Sequence, residues 1–327
     1  MIYPQMPRLR NPLRQYADRC LHCERPGTIS NSPIPQSLVS AALLLTVLVG
    51  CQPLLPTDAA VANQEAMFPT LKLNEDLFRS LTPSNSRDWT PEQVVLATAE
   101  FHGNQATVHN IRNGRWRSET DCALAYRDKT FDLEELTSVD FIVVPFNAAP
   151  ALGHTMLSFG FAGKDYLAVS VEMRKERGQE ISAAGSVFQQ YGLIYVLADE
   201  RDVIQKRVLH DQSEVYLHRS TATPPEARAL FKDVMRRVNR LSRQPEFYDA
   251  LTNNCVTNIR DHINRLRPNR IPYDRRVLLP GHSDRLAYDL GLIEHHGSFE
   301  ETRLSAMINY RACLHRDDPD FSTHIRQ

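Results

Sequence analysis

Three apolar segments in the middle of the chain constrain its fold more than any other feature. "VDFIVVPF", "HTMLSFGF" and "DYLAVSVEM" are rich in β-branched and aromatic residues, and Ala162-Gly163-Lys164 separates the last two. Runs of this length and composition are typical of strands, and a continuous apolar run such as the first predicts a strand that is buried on both faces. The sequence therefore predicts a central sheet that contains a hairpin turning at residues 162–164.

Further strands and two long helices surround this centre. "EQVVLATAEF" and "QATVHNIRN" flank a Gly103-Asn104 turn and predict a second hairpin, while "GLIYVLA" and "SEVYLHRS" extend the sheet. "PPEARALFKDVMRRVNRLSR" and "CVTNIRDHINRLR" have the periodicity of amphipathic helices. The arginines of the first fit either a surface helix on the sheet or a basic stripe facing a membrane. The predicted fold class is α+β, an antiparallel sheet with helices packed on one side, including the cysteine helix.

The first 86 residues predict export and a lipid anchor. Residues 1–50 have a basic front that is long for a signal peptide, followed by an apolar run too short to span a bilayer comfortably. Leu48-Val49-Gly50-Cys51 resembles the bacterial lipobox, which implies that Cys51 is lipidated and begins the mature chain. A membrane anchor that is never cleaved is the alternative. Residues 51–86 predict a flexible tether and residues 87–327 a periplasmic domain. Gln52 favours the outer membrane.

Charge and motifs exclude several classes of function. The 38 basic and 39 acidic residues nearly cancel, so no nucleic-acid partner is predicted. The sequence contains no H-E-x-x-H, and His295-His296 lie too close together to face one metal ion, so no metal site and no cofactor are predicted. Two acyl chains on Cys51 would hold the domain at a membrane surface in an oxidising compartment. Whether Cys122 and Cys313 pair there stays open.

Cys255 is the first candidate for chemistry. It lies in "TNNCVTNIRDHINRLR", where Asn253 or Asn254 is expected to be the helix N-cap. Unpaired N–H groups and the partial positive charge of a helix N-terminus favour a thiolate, and the same N–H groups can bind the oxyanion of a tetrahedral intermediate. The alternative is an inert, packed thiol.

His154 and Glu172 are the candidate partners of this cysteine. His154 begins the strand "HTMLSFGF" beside Gly153, which is expected to leave room above the ring, a position that suits a general base. A histidine that precedes the cysteine by 255 − 154 = 101 residues reverses the papain order, but such triads are recognised by geometry. Glu172 interrupts an apolar strand and needs a partner. We expect it either to orient His154 across the hairpin or to pair with Arg174 or Lys175.

Several motifs in order resemble one family. "SRDWTPEQ", "VHNIRNGRWRSETD", "GHTMLSFGF", "SVEMRKERG", "ERDVIQKR", "LTNNCVTNI" and "LPGHSDRLAYDLGLI" are similar to the lipoprotein N-acyltransferase (Lnb) N-terminal periplasmic domain family, from about Ser86 to Ile293. The arrangement of the histidine and the cysteine also resembles the permuted papain-like fold of lecithin–retinol acyltransferase relatives. The resemblance implies thiol-based acyl transfer, with Cys255 as nucleophile and His154 as base.

By this resemblance the reaction has two steps. His154 takes the proton of Cys255, whose thiolate attacks a phospholipid ester, and the acyl thioester then passes to the free α-amine of a diacylglyceryl lipoprotein. Two alternatives stay open: a cysteine hydrolase of peptides, amides or lipid esters, and a lipoprotein that binds acyl chains or partners without turnover. An apolar groove leading to Cys255 would favour acyl transfer, whereas a polar cleft would favour a peptidase.

Overall fold

A computed structural model of the chain describes residues 82–180 and 190–327. The predicted signal peptide, the lipidated Cys51 and the tether as far as residue 81 lie outside the described residues. Within the described ranges, no helix has both the length and the apolar character that crossing a membrane requires.

Ten strands are present in the described residues: β1 Thr98–His102, β2 Gln105–Arg112, β3 Arg115–Trp116, β4 Cys122–Ala123, β5 Tyr126–Asp132, β6 Leu136–Phe146, β7 Ala149–Phe161, β8 Asp165–Arg174, β9 Gly192–Asp199 and β10 Tyr216–Arg219. Seven of them form a sheet in the order β1-β2-β9-β8-β7-β6-β10, and β5 joins it by pairing with β2. Neighbours in this sheet are antiparallel except β2 and β9, which are parallel. The short strands β3 and β4 pair separately.

Both predicted hairpins are confirmed. The β1–β2 hairpin closes with His102 opposite Gln105, and Gly103 adopts a φ of 62° in the turn between them. The β7–β8 hairpin closes with Phe161 opposite Asp165. The prediction was wrong at the start of the first hairpin, where "EQVV" does not extend β1. Because Pro91 favours the first turn of a helix, residues Pro91–Gln93 form a short 3₁₀ turn instead.

Seven α-helices follow the central strands in the described residues: α1 Glu200–Gln205, α2 Pro224–Arg243, α3 Cys255–Leu266, α4 Ser283–Asp289, α5 Phe299–Ala306, α6 Asn309–Leu314 and α7 Phe321–His324. The turn Lys206–His210 extends α1 with π-helical geometry. Helix α2 begins with two prolines, Pro224 and Pro225, and with a capping box between Thr223 and Glu226. The two longest helices, α2 and α3, are those that the periodicity indicated.

The sheet is buried on both sides. We call the side on which Leu157 and Phe159 of β7 lie the first face, and the side on which Met156 lies the second face. Helices α2 and α3 cover the first face, with Phe231 packed edge-on against Phe159 and Cys255 in the same core. Apolar residues of α1, α6 and α7 belong to the core of the second face.

The predicted α+β class is therefore confirmed, as is the packing of the cysteine helix against the sheet. The prediction that helices lie on one side only was wrong, because short helices near the end of the chain bury the second face. The continuous apolar runs of β6, β8 and β9 are the sequence signature of such a two-sided sheet. The permuted papain-like topology stays a prediction.

Candidate functional site

Cys255 is the first residue of α3 and is only 2 % exposed. Asn254 is the N-cap, with its Oδ1 accepting from the Thr257 N–H at 2.9 Å while the Thr257 hydroxyl accepts from the Asn254 N–H at 2.8 Å. This capping box leaves the N–H groups of Cys255 and Val256 free to point toward the sulfur. The predicted cap is confirmed at Asn254, whereas Asn253 ties the preceding loop to the Phe247 carbonyl at 2.9 Å.

Two features of the environment act on the thiol pKa in opposite directions. Burial raises the pKa of Cys255, while the nearby Thr155 side chain and the backbone N–H groups of Thr155 and Val256 lower it. Burial, together with the nearby Cys255, also raises the pKa of Tyr248. The thiol is thus protonated at neutral pH, in a setting that already holds donors for a negative charge.

A cavity of about 370 Å³ lies between α2, α3 and the first face. Its volume falls within the roughly 300–1,000 Å³ that is typical of ligand pockets. Its walls are mainly aliphatic and aromatic, and include Phe141, Leu157, Leu230, Val256, Ile259 and Ile263. Ile259 and Ile263 follow Cys255 at helical spacing, so the cysteine heads a stripe of α3 whose later residues line this cavity. Cys255 itself is not among the lining residues, whereas Val256, the next residue, is.

His154 belongs to a different cluster, on the second face. Its Nε2 lies 2.6 Å from the Ser170 Oγ, and the Ser170 hydroxyl donates to Glu172 Oε1 at 2.8 Å. Since the serine proton is directed at the carboxylate, His154 Nε2–H donates to Ser170, and Nδ1 carries the lone pair. Glu172 is therefore linked to His154 through Ser170 and not by the direct contact that the sequence predicted; its role in orienting the ring stays a prediction.

Basic groups fix the charge state of this cluster. Burial raises the pKa of Glu172, but Arg112 and Arg207 outweigh it and bring the pKa to about 2. Burial and Arg207 lower the pKa of His154 to about 4, against the opposing effect of Glu172. Gln93 Nε2 also donates to Glu172 at 3.2 Å. The imidazole is thus neutral and the carboxylate ionised at physiological pH.

The structure brings His154 and Glu172 together but does not bring the His154 side chain to the Cys255 sulfur. His154 lies opposite Val144, a residue of the second-face core. Cys255 belongs to the first-face core and contacts Thr155, the next residue of β7. Neighbouring residues of a strand point to opposite faces, so the ring and the thiol project from opposite sides of the sheet. No hydrogen bond joins them within the described ranges.

The space beside Gly153 is already filled. A Cβ at Gly153 would lie 2.8 Å from the Val144 carbonyl oxygen and 3.2 Å from the Gly281 nitrogen. A Cβ at Gly281 would lie 1.9 Å from the Pro150 carbonyl oxygen. The sequence interpretation that Gly153 leaves room above His154 is corrected accordingly, because the 3₁₀ turn Pro280–His282 packs directly on the start of β7.

Four polar residues of these clusters were missed in the sequence. The residues that contact the candidate residues are Thr155, Ser170, Gln93 and Arg207. Each of them occurs in a segment whose sequence indicates only a strand, a turn or a helix. Ser170 carried a usable signal, because it precedes Glu172 at strand spacing and shares its face. The expected alternative partners of Glu172 do not bind it. Arg174 instead donates to the Gln93 and Val94 carbonyls and to Asn85.

Comparison with known proteins identifies the central part of the chain. The family model of the Lnb N-terminal periplasmic domain matches residues 124–281. This range contains His154, Glu172 and Cys255, and the match confirms the predicted resemblance over these residues. The motifs before residue 124 and the segment after residue 281, which the predicted resemblance also included, lie outside the match. No curated protein and no solved structure matches the chain.

Proposed function

We propose that this chain is a thiol acyltransferase. Residues 124–281 belong to the Lnb N-terminal periplasmic domain family, which points to a periplasmic protein of lipoprotein biosynthesis. Cys255 carries the acyl group as a thioester, a membrane phospholipid donates it, and the N-terminal amine of a diacylglyceryl lipoprotein accepts it. The observation that carries the proposal is the apolar cavity lined by the stripe of α3 that Cys255 heads.

The cavity suits an acyl chain with a charged headgroup. Its interior is aliphatic, and Arg260, Arg267 and Arg270 also line it. Arg267 pairs with Glu226, and Arg270 donates to the Gly291 carbonyl oxygen at 3.4 Å. Guanidinium groups are suited to binding phosphate. A phospholipid chain would thus lie in the cavity while its phosphate contacts these arginines.

The reaction balances without a cofactor. In the first step the sulfur of Cys255 bonds to the acyl carbon, the ester C–O bond breaks, and the thiol proton ends on the lysophospholipid hydroxyl. In the second step the acceptor amine bonds to the same carbon, the C–S bond breaks, and a proton from the amine returns to the sulfur. The N–H groups of Thr155 and Val256 are the candidate donors to the thiolate and to the oxyanion.

A base must take the proton of the Cys255 thiol in the first step. His154 has the free Nδ1 lone pair and the neutral charge that a base requires, but its ring points away from the first face. That orientation favours a second candidate function, in which the domain binds an acyl chain in the same cavity without turnover.

Covalent trapping separates the two candidates. The full chain is incubated with vesicles of phospholipid that carries an alkyne-tagged acyl chain, and the protein is examined under denaturing conditions. Acyl transfer predicts a covalent label on the parent that hydroxylamine removes, and no label on Cys255→Ala. Cys122→Ala is the matched control and keeps the label. An unlabelled parent that still retains the lipid under native conditions would leave only the binding function.

The acceptor and the base are tested in the same system. Adding a diacylglyceryl-cysteine peptide should move the label to its amine, whereas release of free fatty acid alone would identify a hydrolase. His154→Ala decides the role of the imidazole. Labelling as low as that of Cys255→Ala would support His154 as the base, and labelling equal to the parent would exclude that role.

A further inference from the structure

A cluster of two histidines and one aspartate lies near the end of the chain, away from Cys255. His315 follows the last residue of α6, His324 is the last residue of α7, and Asp318 lies in the turn between them. His315 Nδ1 is 3.2 Å and His324 Nδ1 is 2.8 Å from the same oxygen, Asp318 Oδ2. The two imidazole rings are tilted by 41° with centroids 4.6 Å apart. Three potential ligand atoms thus converge on one point.

The spacing of these atoms fits one metal ion. All three ligand atoms lie within 4.8 Å of one another. Zinc binds imidazole nitrogen and carboxylate oxygen at about 2.0–2.2 Å, so two ligands of a tetrahedral ion are roughly 3.3–3.5 Å apart. The two nitrogen–oxygen distances of 3.2 and 2.8 Å need to change by only a few tenths of an ångström. Small rotations of the rings bring the nitrogens to the same separation.

The carboxylate is held in place and the site is open to solution. Asp318 Oδ1 accepts from the Asp320 N–H at 2.9 Å, which leaves Oδ2 directed at the rings. Hydrogen bonds of this kind orient metal ligands. The side chains of His315, Asp318 and His324 are 28 %, 26 % and 30 % exposed, so an ion can enter and a water molecule can complete its coordination. Among the described residues, this is the one group of three or more histidine, cysteine, aspartate or glutamate side chains whose ligand atoms lie this close together.

We propose that His315, Asp318 and His324 bind one divalent transition-metal ion of the zinc class, and that the ion fastens the C-terminal segment to the second face. The segment between the two histidines is a loop and a single helical turn, too short to be stable alone. It nevertheless positions Phe321 and Ile325 in the second-face core. A metal that joins its two ends restricts the conformations of this segment.

The sequence predicted no metal site because the pattern H-x₂-D-x₅-H matches no familiar motif. Only the fold, which turns the chain back between α6 and α7, brings the three residues together. The proposal does not depend on acyl transfer, since none of these residues lies in the family match or at the cavity.

Metal binding is measured on untagged full-length protein, so that no affinity tag supplies histidines. After treatment with a chelator, the protein is titrated with Zn²⁺ and, separately, with Co²⁺, whose visible absorption reports tetrahedral coordination. We expect one equivalent to bind, and zinc at about 100 times its dissociation constant to raise Tm by roughly 5 °C.

Variants separate this site from adventitious binding. His324→Gln and Asp318→Asn should each lower zinc affinity at least about tenfold and abolish the cobalt absorption. His296→Gln, which changes an exposed histidine elsewhere, should behave as the parent. Two results would overturn the proposal: a parent that binds no zinc, or variants that bind zinc as tightly as the parent. Because affinity is read from bound metal as well as Tm, a variant that is merely less stable is still informative.

Discussion

The two faces of the sheet differ in chemistry although they share the same strands. The first face combines an aliphatic and aromatic core, a buried thiol and the cavity, whose wall also includes arginines. The second face holds buried ionic groups: Arg112 with Asp202, the His154–Ser170–Glu172 cluster, and Arg326 with Asp140 and Glu200. A single step along β7, from His154 to Thr155, crosses from one environment to the other.

This difference suits the first face to ligand binding and the second face to stabilising the fold. The aliphatic part of the cavity wall can accept an apolar ligand at little cost, because no polar group is desolvated there. A face of paired charges can hold the chain in one arrangement, but each pair is stable only while both partners are present. We therefore expect changes on the second face to affect stability most, and changes on the first face to affect the reactivity of Cys255.

The largest expected effect comes from removing Arg326. Its guanidinium donates to Asp140 Oδ2 at 2.7 Å and to Glu200 Oε2 at 2.8 Å, and both carboxylates are at most 1 % exposed. Arg326→Ala leaves these charges buried without their main partner, which should lower the free energy of unfolding by about 3–5 kcal/mol. Urea denaturation in the presence of a chelator measures this change.

Arg316→Ala is the matched control for that experiment. Arg316 lies on the same segment, but its pair with Asp317 is exposed, so we expect a change within about 0.5 kcal/mol. Equal costs for the two variants would mean that the second face is not held together by its buried charges.

A smaller effect is expected where the first face meets the turn Pro280–His282. Gly281→Ala places a methyl group 1.9 Å from the Pro150 carbonyl oxygen, so the backbone of the turn must move. Overpacking of this kind costs about 1–3 kcal/mol. Leu304→Ala, at an exposed position, is the control. Thermal melting measures both, and an unchanged Tm for Gly281→Ala would show that the turn does not pack on β7 in solution.

Much of the fold followed from the sequence because its signals are local. Turn residues at Gly103 and Gly163, the N-cap at Asn254 and the apolar runs fix the ends and types of elements within a few residues of chain. The helices on the second face were missed because α6 and α7 are four to six residues long and have too few turns to show a period.

The face on which each candidate residue lies was the harder part, although the sequence contained a clue. Along "HTMLSFGF" the residues Thr155, Leu157, Phe159 and Phe161 alternate with His154, Met156, Ser158 and Gly160. The first set is the more apolar and matches the apolar side of the cysteine helix. Strand alternation therefore argued that His154 points away from that helix. Ser170 as the partner of His154 could not be found this way, because that contact depends on the register of β7 against β8.

Acid sensitivity gives a prediction specific to the second face. The pKa of His154 is lowered from 6.5 to about 4 by burial and Arg207, so folding favours the neutral ring. Its contribution is complete above pH 6.5 and is lost as pH falls toward 4. His154→Gln should therefore flatten the dependence of unfolding free energy on pH in this window, by about 1 kcal/mol for a partly exposed ring. His218 is present in both the parent and the variant, so its contribution to the pH dependence cancels in the difference between the two profiles. Parallel pH profiles would contradict the assigned environment.

The smallest expected effect concerns the reactivity of Cys255 on the first face. The Thr155 hydroxyl is buried without a hydrogen-bond partner among the described residues, and its proximity to Cys255 lowers the thiol pKa against the effect of burial. Thr155→Val keeps the shape and removes this donor to the thiolate, so the thiol pKa should rise. Alkylation of Cys255 by iodoacetamide at pH 8 should then slow about two- to tenfold, the effect of losing one hydrogen bond of about 0.5–1.5 kcal/mol. Thr155→Ser keeps the hydroxyl and should react like the parent. A Thr155→Val protein that alkylates as fast as the parent would show that the hydroxyl does not contact the sulfur. His154→Ala, measured beside it, then reports whether the imidazole across the sheet has any influence on the thiol.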